Sequence, residues 1–414
     1  MAAPKLRFKE FGGCWENTSF QSLFTFKNGI NASKEQYGSG TKFINVLDII
    51  NNPNGITYDS IIGSVQVFQK DIDKNLVNYG DVVFQRSSET REEVGQSNVY
   101  LSKEPVAFGG FVIRGSARVP YDPLFMNGLL KTDKVRDQIT QLSGGSTRFN
   151  IGQDSLNKVS VFLPLNEEQT KIASFLSNVD EKISQLTQKY ALLSQYKQGM
   201  MQKLFSQQIR FKADDGSEFG EWGKAKVGNI TETIFGYPFD SKEMVEDNNG
   251  IPLMRGINIG ECHIRHSFEL DRFFLKDTSK LEKYFVRVND IVLSMDGSKV
   301  GRNSAFVTEK DAGSLLVQRV CILREKENTN IQYVYQWIIS KEFHRYVDQV
   351  KTSSGIPHIS GKQIQDYEIS YPCLEEQTKI ANFLSAIDQK IEVVAQQIEQ
   401  AKTWKKGLLQ QMFV

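Results

Sequence analysis

The chain has 414 residues, of which 40% are hydrophobic, and its formal net charge is +1. This length and composition exclude a disordered chain and suit two or three folded domains, while the near-neutral charge confines any basic surface to local patches. The four cysteines are scattered without a CxxC pair, no apolar run has the length of a membrane span, and residues 1–11 lack the apolar core of a signal peptide. We therefore expect a cytoplasmic protein without a membrane partner.

Residues 1–163 are predicted to form a globular domain that mixes strands and helices. Runs of β-branched and aromatic residues at 82–84 and 111–113 predict buried strands, and Tyr79-Gly80-Asp81 predicts a turn before the first of them. The sequence between such runs has little regular periodicity, which indicates a domain rich in irregular loops.

Residues 164–207 are predicted to form one long helix. Apolar side chains from Ile172 to Leu204 recur at alternating steps of four and three, which is the spacing of a coiled-coil seam, and Lys197 is its one polar member. Pro164 opens the segment just before the helix, and acidic residues occupy the first turn, so both features suit the start of a helix.

Residues 208–371 repeat the organisation of the first domain, after a polar linker within residues 206–220. Strand-like runs return at residues 291–293 and 320–323, and a helical pattern covers residues 333–350. The similarity between the two halves persists at strand and turn positions and is lost in the loops between them. We therefore predict two domains with one framework and different loops.

Residues 372–414 are predicted to form a second long helix. The sequence Glu-Glu-Gln-Thr-Lys-Ile-Ala at residues 167–173 returns at 375–381, and residues 167–183 and 375–391 are identical at 13 of 17 positions without a gap. The seam lysine returns as Lys405. If the helices pack antiparallel, Lys197 faces Asp388 and Lys405 faces Asp180, in ion pairs that would set the register. Lysines that snorkel to solvent, and helices that lie separately on two cores, are the alternatives.

No motif in the chain predicts catalysis. Residues 38–42 lack the Gly-Lys-Ser/Thr ending of a phosphate loop, and residues 52–55 lack the tetrapeptide of amino-group methyltransferases. Cys262, His263 and His266 have no fourth metal ligand nearby, and the acidic residues at 71–73 are typical of a solvated loop. We expect no metal, no cofactor and no catalytic residue in this chain, which points to a binding protein.

The repeated sequence from Pro164 and from Pro372 into Glu-Glu-Gln-Thr-Lys-Ile, about 200 residues apart, resembles the specificity subunit of type I restriction–modification systems. The preceding loops at residues 143–147 and 353–357, and the strand starts at 80–83 and 289–292, belong to the same resemblance. The resemblance covers essentially the whole chain.

This resemblance implies an α+β fold of two target recognition domains separated by two long helices that pack as an antiparallel coiled coil with approximate twofold symmetry. Each domain would read one half of a bipartite, asymmetric site in double-stranded DNA. Two methyltransferase subunits would supply S-adenosylmethionine chemistry, and two restriction subunits would supply ATP- and Mg-dependent chemistry. The helices would serve as spacers and as docking sites for the methyltransferase subunits.

Base-reading side chains are expected on the loop after the duplicated strand and on the loop before each long helix, because polar side chains there match the donors and acceptors of base edges. In the first half these are Gln85, Arg86, Ser87, Ser88, Arg91, Ser146, Thr147, Arg148 and Asn150, and in the second half Ser294, Lys299, Arg302, Asn303, Ser353, Ser354 and His358. The alternative is that half or more of them contact phosphates or satisfy backbone groups.

Gln169, Phe175, Gln377 and Phe383 in the first turns of the helices are candidate contacts to the methyltransferase subunits, although simple packing explains the phenylalanines equally well. Two other functions are open to the sequence. A self-sufficient restriction–methylation enzyme would need a cofactor loop that the chain lacks, and a coiled-coil protein scaffold would not bind DNA.

Overall fold

The computed structural model describes residues 3–352 and 355–414, so that Ser353 and Ser354 lie outside the described residues. The chain divides into two compact units, one formed by Met1–Lys189 with Val394–Val414 and the other by Tyr190–Val393. Each unit therefore contains parts of both long helices.

The first unit begins with two strands and a helical turn and ends in the first long helix. Its strands are β1 (Glu16–Ser19), β2 (Phe24–Asn28), β3 (Tyr37–Ile44), β4 (Ser64–Val65), β5 (Leu76–Val77), β6 (Val82–Gln85), β7 (Ser87–Ser88), β8 (Ser97–Val99), β9 (Val106–Phe108), β10 (Val112–Ala117), β11 (Phe149–Asn150) and β12 (Ser160–Leu163). Its helices are α1 (Phe20–Leu23), α2 (Val46–Asn51), α3 (Gln69–Lys74), α4 (Pro123–Leu129), α5 (Asp133–Gln141), α6 (Gln153–Asn157) and the start of α7 (Asn166–Phe205).

The second unit follows a similar order. Its strands are β13 (Gly223–Lys226), β14 (Thr231–Phe235), β15 (Ile251–Met254), β16 (Phe273–Phe274), β17 (Ile291–Ser294), β18 (Ser304–Phe306), β19 (Leu315–Leu316), β20 (Val320–Glu325) and β21 (Glu368–Tyr371). Its helices are α8 (Val227–Ile230), α9 (Ile331–Ile338), α10 (Lys341–Val350), α11 (Gly361–Asp366) and the start of α12 (Leu374–Met412).

One antiparallel sheet has the same strand order in both units. In the first unit the order is β2-β10-β6-β8, and in the second it is β14-β20-β17-β18. A second sheet differs: the first unit has the order β4-β3-β9-β5 and the second has β16-β15-β19. The prediction of two mixed α+β domains with a shared framework is confirmed, and the difference lies in the segments inserted between the framework strands.

The two long helices pack antiparallel within each unit, as the sequence predicts. The first unit holds the start of α7 against the end of α12, and the second holds the end of α7 against the start of α12. With 40 and 39 residues, each helix is about 60 Å long at ~1.5 Å per residue.

The apolar side chains in the last turn of each long helix are buried. Phe205, at the end of α7, stacks on Trp337 with ring centroids 4.0 Å apart. Phe413, just beyond the end of α12, packs against Phe125 at 5.1 Å and Trp15 at 6.5 Å. Each hydrophobic core therefore includes the end of the helix that follows the other domain in sequence.

Both seam lysines make the expected ion pairs. Lys197, with 9% of its side chain exposed, places Nζ 2.6 Å from Oδ1 of Asp388. The other carboxylate oxygen, Oδ2, accepts a hydrogen bond from Gln336 at 3.0 Å. Lys405 Nζ lies 2.5 Å from Asp180 Oδ1. The ion-pair partners predicted for an antiparallel pair of helices are thus confirmed. Lysines that extended into solvent would have left Asp388 and Asp180 without these contacts.

The Lys197–Asp388 pair is testable by a double-mutant cycle. Asp388→Ala should lower the free energy of unfolding by about 2 kcal/mol, because it leaves the buried ammonium without its carboxylate. Lys197→Met should cost less than about 1 kcal/mol, since the remaining carboxylate is partly hydrated. The double variant should be no less stable than Asp388→Ala alone. Lys203→Ala, an exposed lysine of the same helix, is the control in urea denaturation. Strictly additive effects of the two single substitutions would contradict a coupled pair.

Candidate nucleic-acid interface

In the first unit the two loops that carry the predicted base readers meet. Strands β7 and β11 pair antiparallel, with Ser87 opposite Asn150 and Ser88 opposite Phe149. The amide of Ile151 also donates to the carbonyl of Arg86 at 3.0 Å. Two segments that lie some 60 residues apart in sequence therefore form one surface.

The second unit brings its two loops together in a similar way. Asp296 and His358 form an isolated antiparallel bridge, and the amide of Gly297 donates to the carbonyl of Pro357 at 3.0 Å. The amide of Ile359 donates to the carbonyl of Met295 at 2.9 Å. The loop after the duplicated strand and the loop before the long helix are thus adjacent in both units.

Three predicted readers are buried and shape these loops. Gln85 donates from Nε2 to the carbonyl of Ser87 at 2.9 Å, and Ser88 donates from Oγ to Glu93 Oε2 at 2.9 Å. Ser294 donates from Oγ to the carbonyl of Asp296 at 3.2 Å. Their positions give no support to a direct base-reading role, because a buried side chain offers no edge to a ligand.

The cations predicted in the second unit are held by carboxylates. Arg302 donates two hydrogen bonds to the carboxylate of Asp348, and the shorter is 2.5 Å. These hydrogen bonds, together with one from Lys351, hold the pKa of the Asp348 carboxyl well below its usual range. Lys299 lies 2.7 Å from Glu261 and likewise lowers the pKa of that carboxyl. These two cations are less available to a ligand than the sequence suggests.

The exposed predicted readers lie mainly in the first unit. Its loop before α7 exposes Ser146, Thr147, Arg148 and Asn150, and the guanidinium of Arg148 lies 4.0 Å from the carboxylate of the exposed Glu89. Two other arginines of the first unit are bound to backbone groups: Arg91 donates to the carbonyl of Thr140 at 3.2 Å, and Arg86 donates to the carbonyl of Gly110 at 3.4 Å. In the second unit, Asn303 and His358 are half-buried, and their backbone groups make hydrogen bonds within that unit.

A third segment borders the two loops in each unit, and aligning the two halves of the sequence does not reveal it. The amide of Arg86 donates to the carbonyl of Phe111 at 2.8 Å, and the amide of Met295 donates to the carbonyl of Arg319 at 2.8 Å. Phe111 and Arg319 are both exposed. The flanking sequences Gly-Gly-Phe and Val-Gln-Arg share no residue, so only the backbone hydrogen bonds reveal that the two positions correspond.

The first turn of each long helix is fixed by a buried carboxylate. Glu168 accepts two hydrogen bonds of 2.7 Å from Arg7 and a longer one of 3.4 Å from the indole of Trp15. Glu376, which is fully buried, accepts hydrogen bonds of 3.1 and 2.8 Å from Arg210 and one of 2.8 Å from the indole of Trp222. The same clamp therefore occurs in both units and ties each helix to the chain segment that begins its domain.

The neighbouring glutamines, expected as docking residues, are used inside the fold. Gln169 accepts from the amide of Asp122 at 3.0 Å and donates to the carbonyl of Pro164 at 3.0 Å. Gln377 accepts from the amide of Asn330 at 2.9 Å and donates to the carbonyl of Pro372 at 2.8 Å. Both side chains are buried, so neither presents a contact to another protein.

The two docking phenylalanines are half-buried. Phe175 packs edge-on against Phe8 at 5.8 Å and Trp404 at 6.1 Å. Phe383 packs against Phe211 at 5.8 Å. Packing accounts for part of each ring, and contact with a partner subunit stays a prediction for the remainder.

The histidines near Cys262 have protein partners. His263 Nδ1 lies 2.9 Å from the carbonyl of Glu261, and His266 lies between Asp311 at 2.9 Å and Asp271 at 3.4 Å. In residues 3–352 and 355–414 no three side chains of His, Cys, Asp or Glu are grouped as metal ligands would be. Over the same residues, no helix combines the length and hydropathy needed to cross a bilayer.

A family model described as "Type I restriction modification DNA specificity domain" matches the chain twice, at residues 14–195 and 221–403. The MjaVIII specificity subunit, from a type I restriction enzyme of Methanocaldococcus jannaschii, is 26% identical over 269 residues, which are 63% of this chain and 62% of that protein. The alignment thus spans just under two thirds of that relative.

Two further comparisons cover nearly the whole chain. The putative MjaX specificity subunit of the same organism is 23% identical over 410 residues, or 95% of this chain and 92% of that protein. The crystal structure of the S subunit of a type I restriction–modification system from M. genitalium has a TM-score of 0.59 at 17% identity, covering 100% of this chain and 99% of that one. The structural likeness establishes the shared fold.

The clamp on the second helix is testable through its arginine. Arg210→Ala should lower the free energy of unfolding by about 3 kcal/mol, because the fully buried Glu376 carboxylate loses its cation. Lys212→Ala is the matched control two residues away, where an exposed ion pair with Glu218 is worth less than about 0.5 kcal/mol. Equal stabilities of the two variants in urea denaturation would contradict a structural role for the clamp.

Proposed function

The chain belongs to the type I restriction modification DNA specificity domain family, and from that premise we propose that it is the DNA-recognition subunit of a type I restriction–modification complex. Each unit would read one half of a bipartite, asymmetric site. The observation that carries this proposal is that one framework occurs twice in the chain and bears two unlike loop surfaces. A repeated scaffold that holds different loops suits a target whose two halves differ in sequence.

The exposed side chains on the first unit's surface supply the chemistry for contact with DNA. Arg148 offers a cation that is 4.0 Å from its carboxylate neighbour. Asn150 donates one amide hydrogen to the carbonyl of Arg148 at 3.1 Å, and its other amide hydrogen and its amide oxygen can still donate and accept. Arginine suits phosphates and guanine, and asparagine suits adenine. The hydroxyls of Ser146 and Thr147 add further donors and acceptors to the same loop.

The catalytic steps would belong to partner subunits. We infer that methyltransferase subunits bring S-adenosylmethionine, that restriction subunits bring ATP and Mg, and that this chain supplies no catalytic residue. The outer faces of Phe175 and Phe383, at the starts of the two long helices, are the candidate contacts for the methyltransferase subunits. Two such starts would allow two copies to bind, and a DNA-modifying assembly of this kind would act in the cytoplasm.

Mapping methylated adenines in the source genome, with and without this gene, tests the function. The intact strain should show methylation within one bipartite motif whose two specific parts are separated by unread base pairs, and deletion of the gene should abolish it. Restoring the gene should restore the motif. Loss of methylation at a continuous, symmetric motif, or no change on deletion, would contradict the proposal.

The loop before α7 generates a prediction for salt dependence. In the complex with its methyltransferase subunits, Arg148→Ala should weaken DNA binding and reduce the slope of log affinity against log salt by about 1, as expected for the loss of one phosphate contact. Arg302→Ala is the matched control, because its guanidinium is held by Asp348. If the slope fell for Arg302→Ala and not for Arg148→Ala, the assignment of the exposed cation would be wrong.

A further inference from the structure

Phe111 is carried on a tight turn at the start of β10. The amide of Val112 closes this turn by donating to the carbonyl of Gly109 at 2.9 Å. The amide of Gly110 donates to the carbonyl of Ile30 at 2.8 Å, which ties the turn to the chain that follows β2. Phe111 therefore lies at the third position of a turn that is fixed at both sides.

Arg319 is carried on the corresponding turn in the second unit, which closes with the same hydrogen bonds but differs in that residue 319, unlike Phe111, has a positive φ. The amide of Val320 donates to the carbonyl of Val317 at 3.3 Å, and the amide of Gln318 donates to the carbonyl of Tyr237 at 2.9 Å. Arg319 has φ +70°, a left-handed conformation that is strained for an arginine. The hydrogen-bond pattern is that of the first unit, with an arginine in place of the phenylalanine.

A glycine lets the chain pass directly against each turn. A Cβ on Gly29 would lie 2.3 Å from the carbonyl oxygen of Gly109, and a Cβ on Gly236 would lie 2.0 Å from that of Val317. Both distances are too short for any side chain, so the two turns are built on the same close backbone approach. The framework therefore fixes where residue 111 or residue 319 is presented and leaves its identity free.

Each turn borders the surface formed by the other two loops. Arg86 donates its amide to the carbonyl of Phe111 and accepts from the amide of Ile151, so this one residue joins all three segments. Met295 does the same between Arg319 and Ile359. Residues 111 and 319 thus adjoin the surface to which the proposed function assigns DNA contact.

The two side chains offer opposite chemistry. Phe111 is 64% exposed, and beside it Leu47 is 67% and Tyr37 is 44% exposed around a shallow pocket of about 190 Å³. Single apolar residues are ordinary on a protein surface, whereas these three are grouped around one pocket and offer an apolar surface for contact. Arg319 is exposed and offers a cation in place of the aromatic ring.

We propose that Phe111 and Arg319 are specificity-determining residues, one for each half of the DNA site. Phe111 contacts the methyl group of a thymine, for which apolar side chains are suited. Arg319 donates two hydrogen bonds to O6 and N7 of a guanine, the commonest specific contact of arginine. This assignment rests on the proposed function and adds the base class that each unit reads at this position.

The test uses the complex of the full chain with its methyltransferase subunits, and DNA that contains its methylated motif. Replacing the contacted thymine by uracil should weaken binding by the wild-type complex about fourfold, the value of one buried methyl group. Replacing the contacted guanine by 7-deazaguanine removes N7 and should weaken binding about tenfold. Phe111→Ala should abolish the sensitivity to uracil alone, and Arg319→Ala the sensitivity to 7-deazaguanine alone.

Tyr79→Ala and Arg287→Ala are the matched controls. Both side chains are exposed on the turns that precede β6 and β17, at the opposite ends of the strands that lead into the DNA-contacting loops. They should keep both analogue sensitivities. Thermal unfolding midpoints should not change for any of the four variants, since all four side chains are exposed.

The outcomes separate this inference from the function on which it rests. If the wild-type complex binds its bipartite motif but every thymine and guanine can be replaced without effect, or if Phe111→Ala and Arg319→Ala keep the wild-type sensitivities, the inference is overturned and the function stands. If the wild-type complex has no sequence preference at all, both are overturned.

Discussion

Each unit includes in its core the end of the long helix that follows the other domain, and the rest of the structure depends on this exchange of helix ends. The helix that follows the first domain ends with Phe205 in the core of the second unit, and the helix that follows the second domain ends with Phe413 in the core of the first. Burial of a phenylalanine contributes about 1.5–3 kcal/mol, so each unit gains stability from a chain segment that is distant in sequence. Neither unit is complete without both helices.

The opposite end of each helix is fixed by polar contacts instead of apolar ones. A buried glutamate held by an arginine and a tryptophan, followed by a glutamine bonded to the preceding proline's carbonyl, anchors α7 in the first unit and α12 in the second. These hydrogen bonds are directional and fix the angle at which the helix leaves its domain. The starts of the two long helices are thus held in the same way in both units, while the loop surfaces differ.

Much of the fold could be predicted because the two halves of the chain are similar in sequence and can be compared with each other. Two helices that diverge without a gap must keep their length, and a lysine at the same seam position in both must face the same partner, which identified Asp388 and Asp180. Burial at the helix starts could not be predicted in this way. Gln169 and Gln377 look like surface residues in sequence, and only the amides of Asp122 and Asn330, some 47 residues earlier in each half, bury them.

The candidate site was predictable in its location and less so in its members. Turn and strand similarity identified the two loops, but their pairing through Ser87 and Asn150 is a tertiary contact. The carboxylate that holds Arg302 comes from Asp348, 46 residues away, so an arginine chosen for its charge is already paired. Phe111 and Arg319 could not be predicted as corresponding positions, because the two turns carry unrelated residues and only their backbone hydrogen bonds are alike.

Hydrogen exchange in Phe413→Ala and Phe205→Ala variants of the full chain tests the exchange of helix ends most directly. Phe413→Ala should speed amide exchange around Trp15 and Phe125, which are distant in sequence, and should leave the segment around Trp337 protected. Phe205→Ala should do the reverse. Loss of protection confined in each case to the domain that precedes the substituted helix would contradict it.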